Sequence, residues 1–302
     1  MENKAIMGKF KGLGVALVTP FSENGNVDYA GLQRLVELQI QGGTDYLVVH
    51  GTTGESVTLT KEEKVTTLDF IKEIAANRIP IVLGIGGNNT REVCNELEST
   101  DLSGVSGILS VSPAYNKPTQ EGIYQHYKAI SQATDREIIL YNVPGRTSKN
   151  VVAETTVRCA EDFKNIVAVK EASGDLEQVM SILQNRPDGF EVLSGDDALT
   201  LAMIGCGADG VISVVGNAFP QVFSKMVHAA LDSNMAEART QHYQLFEMID
   251  WLFVDGNPAG IKEVLKYLNI CHNYVRLPLV PVGKQVSDKL YALIADSGLA
   301  ME

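Results

Sequence analysis

Tyr46-Leu-Val-Val-His50, followed by Gly51-Thr-Thr-Gly-Glu55-Ser56 and then Thr60-Lys-Glu-Glu63, decides the fold. The first run is apolar at consecutive positions, as a strand covered on both faces must be, which points to a parallel sheet. The glycine-bracketed turn ends it. Thr60 and Glu63 then have the spacing of a capping box and open a helix. Working outward, similar runs lie at Gly14–Val18, Ile81–Ile85, Gly107–Val111, Glu137–Tyr141, Ile166–Lys170, Glu191–Leu193 and Gly210–Val214. Helical patterns separate them: Leu32, Leu35, Val36 with Gln39 and Ile40, then Thr90–Leu102, Glu121–Ala133, Val151–Ala160 and Leu176–Leu183. About eight strand–helix units predict an α/β fold, a (β/α)₈ TIM barrel, with a doubly wound open sheet as the alternative.

Beyond Leu231 the strand pattern stops. Asn234–Trp251, Pro258–Leu268 and Val282–Ala295 read as helices, with Pro278–Pro281 connecting the last two. The expected division is a catalytic barrel over residues 1–231 and a C-terminal helical subdomain over 232–302. A length of 302 residues fits a barrel of roughly 250 plus such an addition.

Composition excludes several classes. A charge of −12 without a basic stripe argues against a nucleic-acid partner. No apolar run approaches a membrane span, and Met1–Lys11 lacks the apolar centre of an export signal. Cys94, Cys159, Cys206 and Cys271 are widely spaced, which fits a reducing cytoplasm better than a disulfide scaffold. The five histidines form no His-x-x-x-His pair, so no metal site is expected.

In a parallel barrel the residues just after each strand converge at one rim, so chemistry is sought there. Gly51-Thr-Thr-Gly54 can bring backbone N–H groups to a carboxylate, or can be an ordinary βα turn. It lacks the Gly-Lys-Ser/Thr of a triphosphate loop. Ile166-Val-Ala-Val169 runs into Lys170, either an amine nucleophile or a snorkelling lysine at the barrel mouth. Tyr141-Asn-Val-Pro144-Gly-Arg146 offers a phenol beside Lys170 and a planar fork for a carboxylate. The plainer reading is a core aromatic and a solvated loop charge. Tyr115, held between Pro113 and Pro118, reads in isolation as a packing residue. Gly195 and Ile212-Ser213, at the ends of the seventh and eighth strand runs, leave room for a ligand or are simple turns. Gly205-Cys-Gly207-Ala-Asp-Gly210 matches Gly-x-Gly-x-x-Gly, but it follows a helix and opens a strand. The dinucleotide fingerprint has the reverse order, so this is an αβ turn.

Gly51-Thr-Thr-Gly-Glu-Ser56, Tyr141-Asn-Val-Pro144 with Arg146-Thr147, and Val169-Lys-Glu-Ala172 together resemble the pyruvate-dependent lyases of the dihydrodipicolinate synthase and N-acetylneuraminate lyase superfamily. The likeness runs over nearly the whole chain, in order. Thr52-Thr53 and Arg146 resemble the dihydrodipicolinate synthase branch. The sialic acid lyases typically carry Ser-Thr and lack this arginine. The resemblance implies a Schiff base between Lys170 and pyruvate, whose enamine attacks aspartate-4-semialdehyde. It implies a proton relay of Thr53, Tyr141 and Tyr115, the last reaching in from a neighbouring subunit. Arg146 would hold the semialdehyde carboxylate, backbone at Thr52 and Thr53 the pyruvate carboxylate, and Gly195 and Ile212 would line the pocket. No cofactor is implied, and the family is usually a homotetramer of tight dimers. Another Schiff-base aldolase, acting on N-acetylneuraminate or a 2-keto-3-deoxy sugar acid, is the rival reading.

One departure concerns feedback inhibition. Where lysine-inhibited relatives carry histidines and a tyrosine, this chain has Lys61, Lys64 and Ala114, although Ser56, Asn88 and Glu92 match. The two cations repel lysine's ammonium group and Ala114 offers it no aromatic face. Weak or absent inhibition by lysine is expected in a steady-state assay; half-maximal inhibition below about millimolar lysine would contradict this.

Overall fold

The computed structural model describes residues 9–297. Eight parallel strands close into a barrel in sequential order: β1 (Gly12–Ala16), β2 (Tyr46–Val49), β3 (Ile81–Gly84), β4 (Gly107–Val111), β5 (Ile138–Asn142), β6 (Ile166–Glu171), β7 (Glu191–Ser194) and β8 (Gly210–Ser213). The helices are α1 (Tyr29–Gln41), α2 (Lys61–Ala75), α3 (Thr90–Ser99), α4 (Gln120–Gln132), α5 (Pro144–Thr147), α6 (Ala153–Asp162), α7 (Leu176–Asn185), α8 (Thr200–Gly205), α9 (Pro220–Leu231), α10 (Met235–Leu252), α11 (Ala259–Tyr267) and α12 (Lys284–Ser297). This is the (β/α)₈ barrel with further helices after α9, and it displaces the open sheet. The reading of Met1–Lys11 as free of an export signal falls, for residues 1–8, outside the described residues, as does the end of the C-terminal segment.

The expected local signals operate. Glu63 N donates to Thr60 Oγ1 at 3.2 Å and Thr60 N donates to Glu63 Oε2 at 2.9 Å, completing the capping box. Helix α1 buries Leu32, Leu35, Val36 and Gln39, one stripe of a 3.6-residue period. At Gly210 a Cβ would stand 2.1 Å from Gly12 O, so the glycine there serves close backbone packing in an αβ turn.

Strand ends differ by small amounts from the sequence reading, each for a visible reason. β1 runs from Gly12 to Ala16 and not to Val18, because Val18 N donates to the Asn217 side chain at 3.0 Å instead of to a strand. β5 and β6 each extend one residue further than read, to Asn142 and Glu171. These two are register partners, and their side chains bond to each other.

Contacts cluster into two compact units, Met1–Gly12 with Val82–Ile212, and Leu13–Ile81 with Ser213–Glu302. The first is centred on fully buried Ile108, Leu140, Val169 and Val192. The second has Phe21, Leu47, Phe223 and Leu245 at its core. In α12, Val286, Leu290 and Ile294 are buried at four-residue spacing. Among the described residues no helix is long and apolar enough to cross a membrane, and no group of three or more His, Cys, Asp or Glu side chains could hold a metal ion.

Candidate active site

In the unit containing β4 to β8, the parallel register sets Lys170 beside Tyr141 on β5 and Leu193 on β7. Lys170 is 5% exposed, and its Nζ lies 4.4 Å from the centroid of the Tyr141 ring. Among the described residues no carboxylate forms an ion pair with it. A buried amine that is not one half of an ion pair is an uncommon arrangement, because an unpaired charge in an apolar site is costly. Gly195 explains how the chain of Lys170 is accommodated. A Cβ at that position would stand 2.6 Å from Ala172 Cβ and 3.0 Å from Lys170 Cε. Ile212, 1% exposed, belongs to β8 of the same unit.

Behind this face sits a polar network. Side chains alternate along a strand, so Asn142 and Glu171 point opposite to Tyr141 and Lys170. Asn142 Nδ2 donates to both oxygens of the buried Glu171 carboxylate at 3.0 and 2.9 Å. Gln178 Nε2 adds 2.9 Å and Ser173 N 2.7 Å. Asn150 closes the circuit, accepting from Asn142 at 2.8 Å and donating to Gln178 at 2.7 Å. These neutral donors satisfy Glu171 and lock β5, β6 and α7 in one register, which fixes where Lys170 and Tyr141 stand.

Arg146 lies in α5, a single turn opened by Pro144, and not in a loop as expected. Proline at the first helical position accounts for the turn. The guanidinium is exposed, and among the described residues it has no carboxylate partner. Tyr115 is 88% exposed with φ 68°, so the isolated reading of it as a packing residue fails within this chain.

In the other unit, the turn after β2 places Thr52 exposed and Thr53 buried. Asn257 Nδ2 donates to Thr53 Oγ1 at 2.9 Å. Glu55, 2% exposed and with φ 52°, accepts from Lys262 Nζ at 2.5 Å and from Arg276 N at 2.9 Å. Arg276 in turn grips both oxygens of Glu63, at 2.7 and 2.5 Å. Segments after α10 thus clamp the threonine turn from behind. His50, just before the turn, is held well below the ordinary imidazole range, to about 4, by burial and then by the Lys64 charge. Thr67 Oγ1 donates to Glu63 O at 2.6 Å and therefore accepts from His50 Nε2 at 2.8 Å. His50 is a neutral structural residue here.

Residues 9–297 match the profile of the Dihydrodipicolinate synthetase family. The chain belongs to this family. A protein of Parabacteroides distasonis named 4-hydroxy-tetrahydrodipicolinate synthase is 55% identical over 280 residues, covering 93% of this chain and 94% of its own. One of the same name from Phocaeicola vulgatus is 53% identical over 289 residues, covering 96% and 97%. The chloride-inhibited dihydrodipicolinate synthase of Acinetobacter baumannii, solved in complex with pyruvate, matches with a TM-score of 0.93 at 38% identity, covering 96% of this chain and 99% of that one.

The lysine, tyrosine and threonine segments singled out in the sequence lie at the ends of β6, β5 and β2. Sequence reasoning missed the residues that support them. Asn142 and Glu171 had a signal, since each directly follows a singled-out residue at matching places on neighbouring strands. Asn257 and Lys262 had none, being polar residues of a turn and of a helix more than 200 positions from their partners.

Proposed function

We propose that this chain is a class I, Schiff-base lyase that condenses pyruvate with aspartate-4-semialdehyde to give 4-hydroxy-tetrahydrodipicolinate, the first committed step of diaminopimelate and lysine biosynthesis. The observation that carries the reading is Lys170, buried at the end of β6 with a phenol ring 4.4 Å from its nitrogen and no carboxylate partner among the described residues. Its nitrogen adds to the pyruvate ketone and water leaves. The resulting imine is an electron sink, so a proton is lost from the methyl group without a free enolate. The enamine carbon then bonds to the semialdehyde's aldehyde carbon. Attack of the semialdehyde's own amine on the imine carbon closes the ring and frees Lys170.

Tyr141, Thr53 and Tyr115 pass the protons in this reading. Membership of the family over residues 9–297 supports grouping Thr52 and Thr53 with Lys170. Backbone at Thr52 and Thr53 binds the pyruvate carboxylate, while Gly195 and Ile212 shape the pocket. The exposure of Tyr115 supports its use by a neighbouring subunit, in a homotetramer built from tight dimers in the cytoplasm. Residues 1–231 form the catalytic barrel and 232–302 the helical subdomain.

The rival, an aldolase for sugar acids, is separated by Arg146. An exposed guanidinium without a carboxylate partner suits a substrate bearing a second carboxylate. Replacing Arg146 by alanine is expected to lower semialdehyde turnover about a hundredfold, from the loss of a charge-assisted pair of roughly 3 kcal/mol. Pyruvate should still be trapped on Lys170 by borohydride. Undiminished semialdehyde turnover, measured alongside N-acetylneuraminate and 2-keto-3-deoxy sugar acids, would favour the rival.

A further inference from the structure

The turn that carries Arg146 leaves the barrel at Asn142, the last residue of β5, and ends at Asn150. These two side chains bond to each other across eight positions of sequence, Asn142 Nδ2 donating to Asn150 Oδ1 at 2.8 Å. One residue further on, Val151 N donates to Asn142 Oδ1 at 3.0 Å. The base of the turn is closed by this clasp. Two helices hold Asn150 as well. Its Nδ2 donates to Gln178 Oε1 on α7 at 2.7 Å, and its backbone O accepts from Gln120 Nε2 on α4 at 2.8 Å.

Inside the clasp the backbone folds on itself. Val143 O accepts from Arg146 N at 2.9 Å and from Thr147 N at 3.0 Å. Thr147 is buried and donates its hydroxyl to Lys149 O at 2.9 Å. The guanidinium is exposed, yet the backbone that carries it is fixed. The clasp is also joined to the amine. Asn142 donates to Glu171, the residue after Lys170, and Glu171 O accepts from Gly195 N at 2.8 Å. One hydrogen-bonded chain thus links the base of the arginine turn to the strand end that holds Lys170. A planar fork that meets a carboxylate gains from such fixing, because misplacement by about 1 Å can cost about a hundredfold in rate.

We infer that Asn150 is a positioning residue for the second substrate. By closing the base of the turn it sets Arg146 relative to Lys170, so that the semialdehyde is held where its aldehyde meets the enamine. This inference rests on the reading above, in which Arg146 binds the semialdehyde carboxylate. The full-length wild type is compared with Asn150→Ala, Arg146→Ala and the double variant. In a reaction of two halves, kcat/KM for pyruvate reports imine formation and kcat/KM for the semialdehyde reports the condensation. Asn150→Ala is expected to lower kcat/KM for the semialdehyde about tenfold to thirtyfold, as loss of orientation does. The value for pyruvate should change less than about threefold, and borohydride should still trap pyruvate on Lys170. In the Arg146→Ala background the same substitution should cost less than about twofold further, since it acts through that guanidinium.

An unchanged semialdehyde kcat/KM in Asn150→Ala, an equal loss for both substrates, or the same loss with Arg146 already removed would each overturn the inference. If Asn150→Ala fails to fold, Gln120→Ala decides instead. It removes the bond that reaches Asn150 from α4, and it should give the same selective loss, about threefold to tenfold; no selective loss would overturn the inference. Undiminished semialdehyde turnover in Arg146→Ala would instead refute the role of Arg146 on which the inference rests.

Discussion

Replacing Lys170 by methionine is expected to lower condensation on the order of 10⁶-fold, the scale of removing a catalytic nucleophile, while the protein remains folded. The reasoning has two parts. Without the amine there is no imine, and neither the phenol of Tyr141 nor the threonine turn can substitute as an electron sink. The side chain is also buried with no ion-pair partner among the described residues. Methionine has similar length and no charge to desolvate, so its burial costs less. Steady-state rates and a urea melt check both parts. A variant that turns over within about tenfold of wild type would remove Lys170 from the chemistry. A large loss of stability would show that its amine has a structural partner.

The largest expected effect on stability is at the other buried lysine. Lys262 is fully buried and its Nζ meets Glu55 at 2.5 Å and Tyr274 O at 2.8 Å. Burial draws its ammonium below the ordinary lysine range, and the Glu55 charge opposes this. Replacing Lys262 by methionine strands a carboxylate that is 2% exposed. Breaking a buried pair from one side costs about 3–5 kcal/mol, whereas replacing both partners by neutral groups is often close to neutral. Lys262→Met should therefore unfold at much lower urea, and Glu55→Gln with Lys262→Met should recover most of the difference. The amide oxygen introduced by Glu55→Gln can still accept from Arg276 N, so the recovered protein should keep the threonine turn and bind pyruvate. Equal urea midpoints for the single variant and the wild type would show that the pair contributes nothing.

The barrel was legible because its signals are local. Val48, Val169 and Val192 sit in short runs whose consecutive apolar positions require cover on both faces, and Thr60 with Glu63 marks a helix start. Lys170 and Tyr141 were legible for the same reason, since each ends such a run. What local pattern cannot supply is pairing across the chain. Asn257 and Lys262 reach Thr53 and Glu55 across 204 and 207 positions, and nothing in their own neighbourhoods distinguishes them from surface residues of a turn and of a helix. Asn142 and Glu171 lie between these cases. In sequence each reads as the residue after a strand, where polar side chains are ordinary, and only the register Asn142↔Glu171 shows that the polar pair continues the sheet. Tyr115 misled for a different reason: a proline on either side suggests a packed aromatic, yet its left-handed backbone turns the ring outward to 88% exposure.

Of the two buried lysines among the described residues, one is committed to Glu55 and the other has no such partner there, and the contrast supplies the most direct test. Wild-type protein is incubated with pyruvate, reduced with borohydride, digested and weighed peptide by peptide. The peptide containing Lys170 should carry the reduced pyruvate adduct, stoichiometrically at saturation, with the peptide containing Lys262 unmodified. An unmodified Lys170 under saturating pyruvate, or an adduct confined to another lysine, would contradict the account.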